Sequence, residues 1–111
     1  MNNVRTESVY YFPRIRDTMA KQVNAAHILV DTEKKAKEIL EMAYGGEKFS
    51  DLAKKYSSCP SKKNGGDLGW FSRGDMVKEF ENAAFSADKG AIVGPVRTQF
   101  GWHLIYVKDV K

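Results

Sequence analysis

The residues best suited to chemistry in this sequence are its one cysteine and its two histidines. Cys59 precedes a glycine-rich segment, whereas His27 and His103 lie in the two clearest strand patterns, one near each end of the domain. Pairing with histidine can lower the pKa of a thiol and make it a nucleophile. Hydrolysis would also require an oxyanion hole and a residue that orients the base, and the sequence indicates neither. These residues therefore favour a small apolar site whose chemistry is not hydrolysis.

The sequence contains no recognisable metal or phosphate motif. The spacings between the cysteine and the two histidines match no standard ligand pattern of zinc. Gly65-Gly66 could open a phosphate-binding loop, but no Gly-Lys-Ser/Thr follows. We therefore expect neither a metal nor a cofactor.

The two histidines share strand faces with apolar side chains. Because side chains alternate along a strand, His27 lies on the face of Leu29, and His103 on the face of Ile105. Each could be an ordinary buried histidine whose nitrogens are satisfied. If the two are neighbours in one sheet, a nitrogen-to-nitrogen hydrogen bond could fix their tautomers, and a third group could bond an outer nitrogen.

Length and composition indicate one globular domain. The 111 residues suffice for one core, and the composition is 29% charged and 42% hydrophobic. The net charge of +4 comes from scattered lysines, so nucleic-acid binding is a minor alternative and we expect no specific nucleic-acid partner. No apolar run approaches the roughly 20 residues of a membrane span. The first residues also lack a secretory signal layout. We expect a cytoplasmic protein with no membrane partner, or an extracytoplasmic one if this is an excised domain.

The apolar spacing predicts a single α+β domain with helices packed on one small sheet. The expected order is a strand at 25–30, helices over 36–43 and 49–56, a loop at 57–67, a strand at 68–71, a helix over 76–84 and a hairpin of 94–98 with 102–107. Residues 1–24 differ in pattern: Pro13 could open a helix through Met19 to Lys21. We therefore divide the chain into an N-terminal extension of unknown role, 1–24, and a domain, 25–111.

Ordered blocks across the chain resemble the parvulin-type (rotamase, PpiC-like) peptidyl-prolyl cis/trans isomerases, and the small single-domain prokaryotic members in particular. The resemblance covers roughly residues 25–108. The blocks are AHILV at 26–30, FxxLA at 49–53, YS at 56–57, GGDLG at 65–69, RGxMVxxF at 73–80, AF at 84–85, GPVxT at 94–98 and FGxHLI at 100–105.

The resemblance implies a four-stranded antiparallel sheet surrounded by about four helices, in the order β-α3-β-α-β2. It implies that His27, Cys59 and His103 form the catalytic group. Without it, the apolar stripe of Met76 and Phe80 would read as ordinary core. With it, a proline pocket is expected, formed by Leu68, Met76 and Phe80, with Phe71, Phe85, Thr98, Gln99 and Phe100 around its rim or beneath it.

The activity implied is non-covalent acceleration of X-Pro rotation in unfolded or flexible segments of client proteins, by a monomer. The phosphate-directed branch of the family has a long basic loop after the first strand. Here only Asp31 and Thr32 separate Val30 from the next helix, so we expect no requirement for phosphoserine or phosphothreonine before proline. The alternative is a non-catalytic chaperone or peptide-binding module that uses the same groove.

Overall fold

A computed structural model of the chain describes residues 20–111. The elements in chain order are β1 (Gln22–Val30), α1 (Glu33–Tyr44), α2 (Phe49–Tyr56), a 3-10 helix (Pro60–Asn64), β2 (Asp67–Ser72), α3 (Lys78–Ser86), β3 (Ile92–Thr98) and β4 (Gly101–Val110). The α+β class is confirmed, with three α-helices and one short 3-10 helix in this part of the chain. The 3-10 helix lies in the segment predicted to be a loop.

The predicted start of the domain falls inside the first strand. β1 begins at Gln22, earlier than the expected start at residue 25, so three residues assigned to the N-terminal extension belong to the sheet. The helix predicted from Pro13 lies outside the described residues up to Met19, and the chain at 20 and 21 is not helical.

The four strands form one antiparallel sheet in the order β2-β1-β4-β3. The two central strands, β1 and β4, carry the histidines. In their register His27 lies opposite Ile105, and Leu29 lies opposite His103. The histidines are therefore diagonal neighbours on one face, close enough for long or aromatic side chains to meet.

Alternation along β1 and β4 divides the core between the two faces of the sheet. One face packs Ile28 and Leu104 against α1 and α2, which contribute Ile39, Leu40 and Leu52. The histidine face carries Val23 and Ile105 together with Phe71 of the neighbouring strand β2, and it packs against Phe80 and Phe85 of α3. All of these side chains are buried.

Two helix boundaries bear on the site. Thr32 caps α1 by accepting a hydrogen bond from the Lys35 amide at 3.1 Å, so the β1–α1 connection is as short as the sequence predicted. The helix predicted over 76–84 begins later, at Lys78, because Val77 has an extended ψ of 153°. Met76 therefore lies in the turn before α3 and not on the helix.

Between residues 20 and 111, no helix combines the length and the hydrophobicity that crossing a bilayer requires.

Candidate functional site

The two histidines form a directly bonded pair. The Nδ1 atoms of His27 and His103 lie 3.1 Å apart, and their rings stack with centroids 5.2 Å apart. The residues are only 6% and 4% exposed, respectively. The expected burial and pairing of the two imidazoles are confirmed.

Thr98 is the third member of this network. Its Oγ1 lies 2.8 Å from His103 Nε2 and also accepts a hydrogen bond from the Phe100 amide at 3.1 Å. The sequence left room for a third group on an outer nitrogen, and the structure identifies it as the Thr98 hydroxyl at the end of β3. The β3–β4 turn brings it there, because Thr98 pairs with Gly101 at the start of β4.

Proton counting leaves two arrangements for the network. A neutral imidazole carries one N–H, so one Nδ1 donates and the other accepts. If His103 donates from Nδ1, its Nε2 accepts the Thr98 hydroxyl proton; if His27 donates, His103 Nε2 donates to Thr98. In both cases His27 Nε2 is buried without a partner among the described residues.

Both imidazoles are neutral at neutral pH. Burial lowers the pKa of His27 from the ordinary value of 6.5 to about 4. Burial, and then the charge on His27, lower the pKa of His103 to about 4 as well. A charged ring would lose its hydration and face a second ring, so the pair is stable only in the neutral form.

Phe80 on α3 presents its ring to both histidines. It meets His27 and His103 nearly edge-on, with centroids 5.6 Å and 5.3 Å away. Phe71 lies behind Phe80 at 6.0 Å, and Phe85 lies 5.8 Å from Phe71. A buried cluster of aromatic rings in edge-on and tilted contact therefore packs against the imidazole pair from the core.

The segment that carries Cys59, residues 57–66, is called the Cys59 loop here. Its last residue is tied to the histidine strand, because the His27 amide donates to the Gly66 carbonyl at 2.9 Å. Gly66 has φ of +83°, and a Cβ there would lie 2.3 Å from the His27 carbonyl oxygen. Only glycine allows this close approach of the loop to β1.

These elements enclose a groove of about 510 Å³ on the histidine face, called the histidine groove here. It is lined by His27, Leu29, Ser58, Cys59, Pro60, Leu68, Asp75, Met76, Val77, Phe80, Phe100 and His103. A second depression, of about 570 Å³, is lined by residues that include Lys48, Asp67 and Lys108, and by none of the three residues expected to act in catalysis. The histidine groove is therefore the candidate site.

Most of the expected site residues meet in this groove, and four do not line it. The expected residues that do are His27, Cys59, Leu68, Met76, Phe80, Phe100 and His103. Phe71 and Phe85 are buried beneath it, and Thr98 is buried behind His103. Gln99 is exposed in the β3–β4 turn and lies outside the groove. Thr98 and Gln99 are thus absent from the lining, because the turn directs one inward to His103 and the other to solvent.

The groove also includes side chains that the sequence reasoning did not propose as site residues. Leu29 was available from alternation, because it shares the strand face of His27. Asp75 and Val77 flank Met76, and Ser58 and Pro60 flank Cys59. These four side chains reach the groove because two turns fold back on the sheet. The spacing of residues in the sequence does not predict how those turns fold.

The groove can bind an apolar group beside two neutral imidazoles, and the Asp75 carboxylate also lines it. Within residues 20–111, the Cys59 thiol makes no hydrogen bond to either imidazole, so no activated Cys–His pair is present. In the same residues, no group of three His, Cys, Asp or Glu side chains could hold a metal ion. The walls of Leu68, Met76 and Phe80 suit a proline-sized ring.

Comparison with known families agrees with this geometry. The family model described as the PPIC-type PPIase domain, a rotamase model, matches residues 10–111. The chain belongs to the PpiC-type peptidyl-prolyl isomerase family. The match begins in the segment that we separated as an N-terminal extension.

Relatives and solved structures of PpiC-type proteins show the same likeness. The foldase protein PrsA of Geobacillus kaustophilus is 51% identical over 94 residues, which are 84% of this chain and 34% of that protein. A crystal structure of the peptidylprolyl isomerase PrsA from Bacillus cereus has a TM-score of 0.80 and 40% identity, and the match covers all of this chain and 40% of that one. The parvulin of Nitrosopumilus maritimus has a TM-score of 0.75 and 40% identity, covering 81% of this chain and 98% of that one. The chain spans about a third of the length of the curated relatives it matches.

Proposed function

We propose that this domain accelerates cis/trans rotation about X-Pro bonds in unfolded or flexible segments of client proteins. The observation that carries the proposal is the apolar histidine groove, which ends on a buried pair of neutral imidazoles. Rotation about a prolyl bond is slow because amide resonance imposes a barrier of ~18–20 kcal/mol. An enzyme need only bind the twisted state, in which resonance is lost, more tightly than the planar states.

The groove supplies an apolar wall and a polar end. Leu68, Met76 and Phe80 hold the proline ring out of water, which fixes one side of the rotating bond. The carbonyl on the other side turns near the Cys59 thiol and the histidines. Fixed polar groups near a turning carbonyl favour the twisted state without a bond to the substrate. The mechanism is therefore non-covalent, and Cys59 adjusts polarity and hydrogen bonding.

The charges around the groove support a reaction that needs no phosphate on the substrate. Asp75 lines the groove, whereas no lysine or arginine of the described residues does. The nearby guanidinium of Arg73 lies 4.4 Å over the ring of Phe85. A phosphate before proline would thus meet a carboxylate and no lining cation.

An exchange assay on short X-Pro peptides tests the proposal. Catalytic amounts of the protein, followed by NMR exchange or protease-coupled turnover, should accelerate isomerisation in unphosphorylated peptides with acidic, basic and apolar X. Phosphorylated twins should be turned over no faster than their partners. No rate gain for any X would refute the enzyme, and a strong gain confined to phosphopeptides would refute the charge argument.

A second candidate is a binding module that holds extended chains. The rim residue Phe100 is 61% exposed, which offers an apolar surface beyond what a proline ring fills. Stoichiometric protein would then suppress aggregation of an unfolding client even where turnover is absent. Met76→Ala and Phe100→Ala distinguish the two: Met76→Ala should lower turnover more than holding, and Phe100→Ala should lower holding more than turnover.

We also propose that the domain is monomeric, which sedimentation at several concentrations tests.

Cytoplasmic location stays a prediction from the sequence, and extracytoplasmic location is the alternative for a domain of a longer chain. Cell fractionation with an antibody against residues 25–111 decides between them.

A further inference from the structure

We propose that Ser57 is a positioning residue of this site, whose buried hydroxyl sets the distance between Cys59 and the strand that carries His27. The inference rests on the proposed function, because it concerns groups in the same groove. Ser57 closes α2: its amide donates to the Ala53 carbonyl at 3.0 Å, and the helix ends there.

The Cys59 loop replaces a missing strand partner of β1. β2 pairs with β1 only as far as Ala26, which lies opposite Asp67. Beyond that point the His27 amide donates to the Gly66 carbonyl at 2.9 Å, and the Leu29 carbonyl accepts from the Ser58 amide at 2.8 Å. Backbone groups at a strand edge inside the protein need such partners.

Ser57 supplies the partner that the loop backbone does not. Its Oγ accepts hydrogen bonds from the Leu29 amide at 3.0 Å and from the Cys59 amide at 3.3 Å. A hydroxyl oxygen has two acceptor sites, so both are in use. Ser57 is 3% exposed, which leaves little room for water to take its place. One oxygen therefore bridges two residues that line the histidine groove, Leu29 and Cys59.

The walls that hold the proline ring come from elsewhere. Leu68 lies on β2, Met76 in the turn before α3, and Phe80 on α3. Loss of the Ser57 hydroxyl should therefore spare ring binding and displace the thiol end of the groove. Displacement of groups that act on the twisted state lowers kcat, whereas loss of uniform binding raises KM.

The test compares Ser57→Ala and Ser72→Ala in the full chain. Ser57→Ala should lower kcat about tenfold and leave KM within about twofold, because small misplacements of this kind are costly for turnover. Ser72→Ala is the matched control: its hydroxyl accepts a hydrogen bond from Gln22 Nε2 at 3.2 Å at the last residue of β2, and Ser72 does not line the histidine groove. It should keep kcat within about twofold of the wild type. Ser57→Thr, which retains the oxygen, should restore most of the turnover lost in Ser57→Ala.

A readout independent of turnover separates this inference from the proposed function. Cys59 is the only cysteine, so its alkylation by iodoacetamide reports its surroundings alone. The rate should change severalfold in Ser57→Ala and stay at the wild-type value in Ser72→Ala. An inactive wild type would refute the isomerase while the alkylation rates still test the placement of Cys59.

A folded Ser57→Ala protein with unchanged kcat and an unchanged alkylation rate would overturn the inference, as would a rise in KM alone. If Ser57→Ala does not fold, hydrogen exchange on the wild type decides. The Leu29 and Cys59 amides should both be protected, and exchange of the Cys59 amide at the rate of an unstructured peptide would overturn the bridge.

Discussion

His27 and His103 are joined Nδ1 to Nδ1 at 3.1 Å across the two central strands, but their outer nitrogens differ. His103 Nε2 is bonded to Thr98 at 2.8 Å, whereas His27 Nε2 has no partner among the described residues. His103 is therefore the centre of the network and His27 is its end. Substitutions of the two residues should have unequal effects.

We expect His103→Ala to destabilise the fold more than His27→Ala. Removing His27 leaves one nitrogen of His103 unsatisfied, at a cost of roughly 1–3 kcal/mol. Removing His103 breaks two hydrogen bonds, one to His27 Nδ1 and one to the Thr98 hydroxyl. Urea unfolding should show a lower free energy of unfolding for both variants. Turnover, measured on the same samples, should fall partly because of this lower stability. Thr98→Val is the control, because it keeps the side-chain shape and removes only the hydroxyl that bonds His103. Equal or reversed costs would contradict the network order.

The stability of the domain should rise between pH 4 and pH 6.5. Both histidines have a folded pKa of about 4 against an ordinary value of 6.5, so the unfolded chain binds more protons in this range. Acidification therefore favours unfolding across it. The lowered pKa of Asp67, held by its hydrogen bond to Lys108, adds a loss of stability of the same sign below about pH 5, so the slope above about pH 5 isolates the histidines. Thermal melts over this range measure the effect, and a flat profile would argue against a neutral buried pair.

Met76→Ala and Phe80→Ala should both weaken turnover, but only one should greatly weaken the fold. Met76 is half-buried in the turn before α3, so its loss mainly empties the groove wall. Phe80 is buried against Phe71 and both imidazoles, and a Phe→Ala change in a core costs about 3–5 kcal/mol. Melting temperature and kcat/KM for each variant check this. Unchanged turnover in Met76→Ala would remove Met76 from the proline wall.

Cys59→Ser should keep substantial activity. A serine hydroxyl retains a donor and an acceptor, and the proposed reaction forms no bond to the side chain. The rate should fall by less than about tenfold, well short of the loss seen when a covalent nucleophile is removed. Complete loss of turnover in a stably folded Cys59→Ser protein would instead indicate a covalent step.

Gly66→Ala should destabilise the domain more than Gly74→Ala. Both glycines have positive φ, +83° and +94°, and either substitution incurs that strain, typically about 1 kcal/mol or more. Only at Gly66 would the new Cβ lie 2.3 Å from the His27 carbonyl oxygen, whereas the space at Gly74 is open. Unfolding free energies of the two variants give the difference. Equal losses would show that the loop and β1 can separate without cost.

Local pattern predicted the α-helices and strands, but it missed the 3-10 helix and the starts of β1 and α3. Apolar spacing predicted the helix around Ile39 and Leu40, and strand alternation indicated that His27 and His103 are buried. These inferences succeed because helix and strand periods are properties of neighbouring residues. The blocks of family resemblance, which extend over most of the chain, then indicated the fold and the activity.

Only the tertiary structure decided how the site is bonded. Thr98 was expected around the rim of the pocket or beneath it, and it lies behind His103 because the β3–β4 turn directs it inward. Ser57 lies in one of the blocks of family resemblance, but the sequence did not indicate its role, since its two partners, Leu29 and Cys59, become neighbours only when the loop meets the open edge of β1. Sequence patterns record which residues are apolar and how they repeat. The pairing of buried hydrogen-bond donors and acceptors depends on contacts between residues distant in the sequence. The helix and strand periods of neighbouring residues carry no information about those contacts.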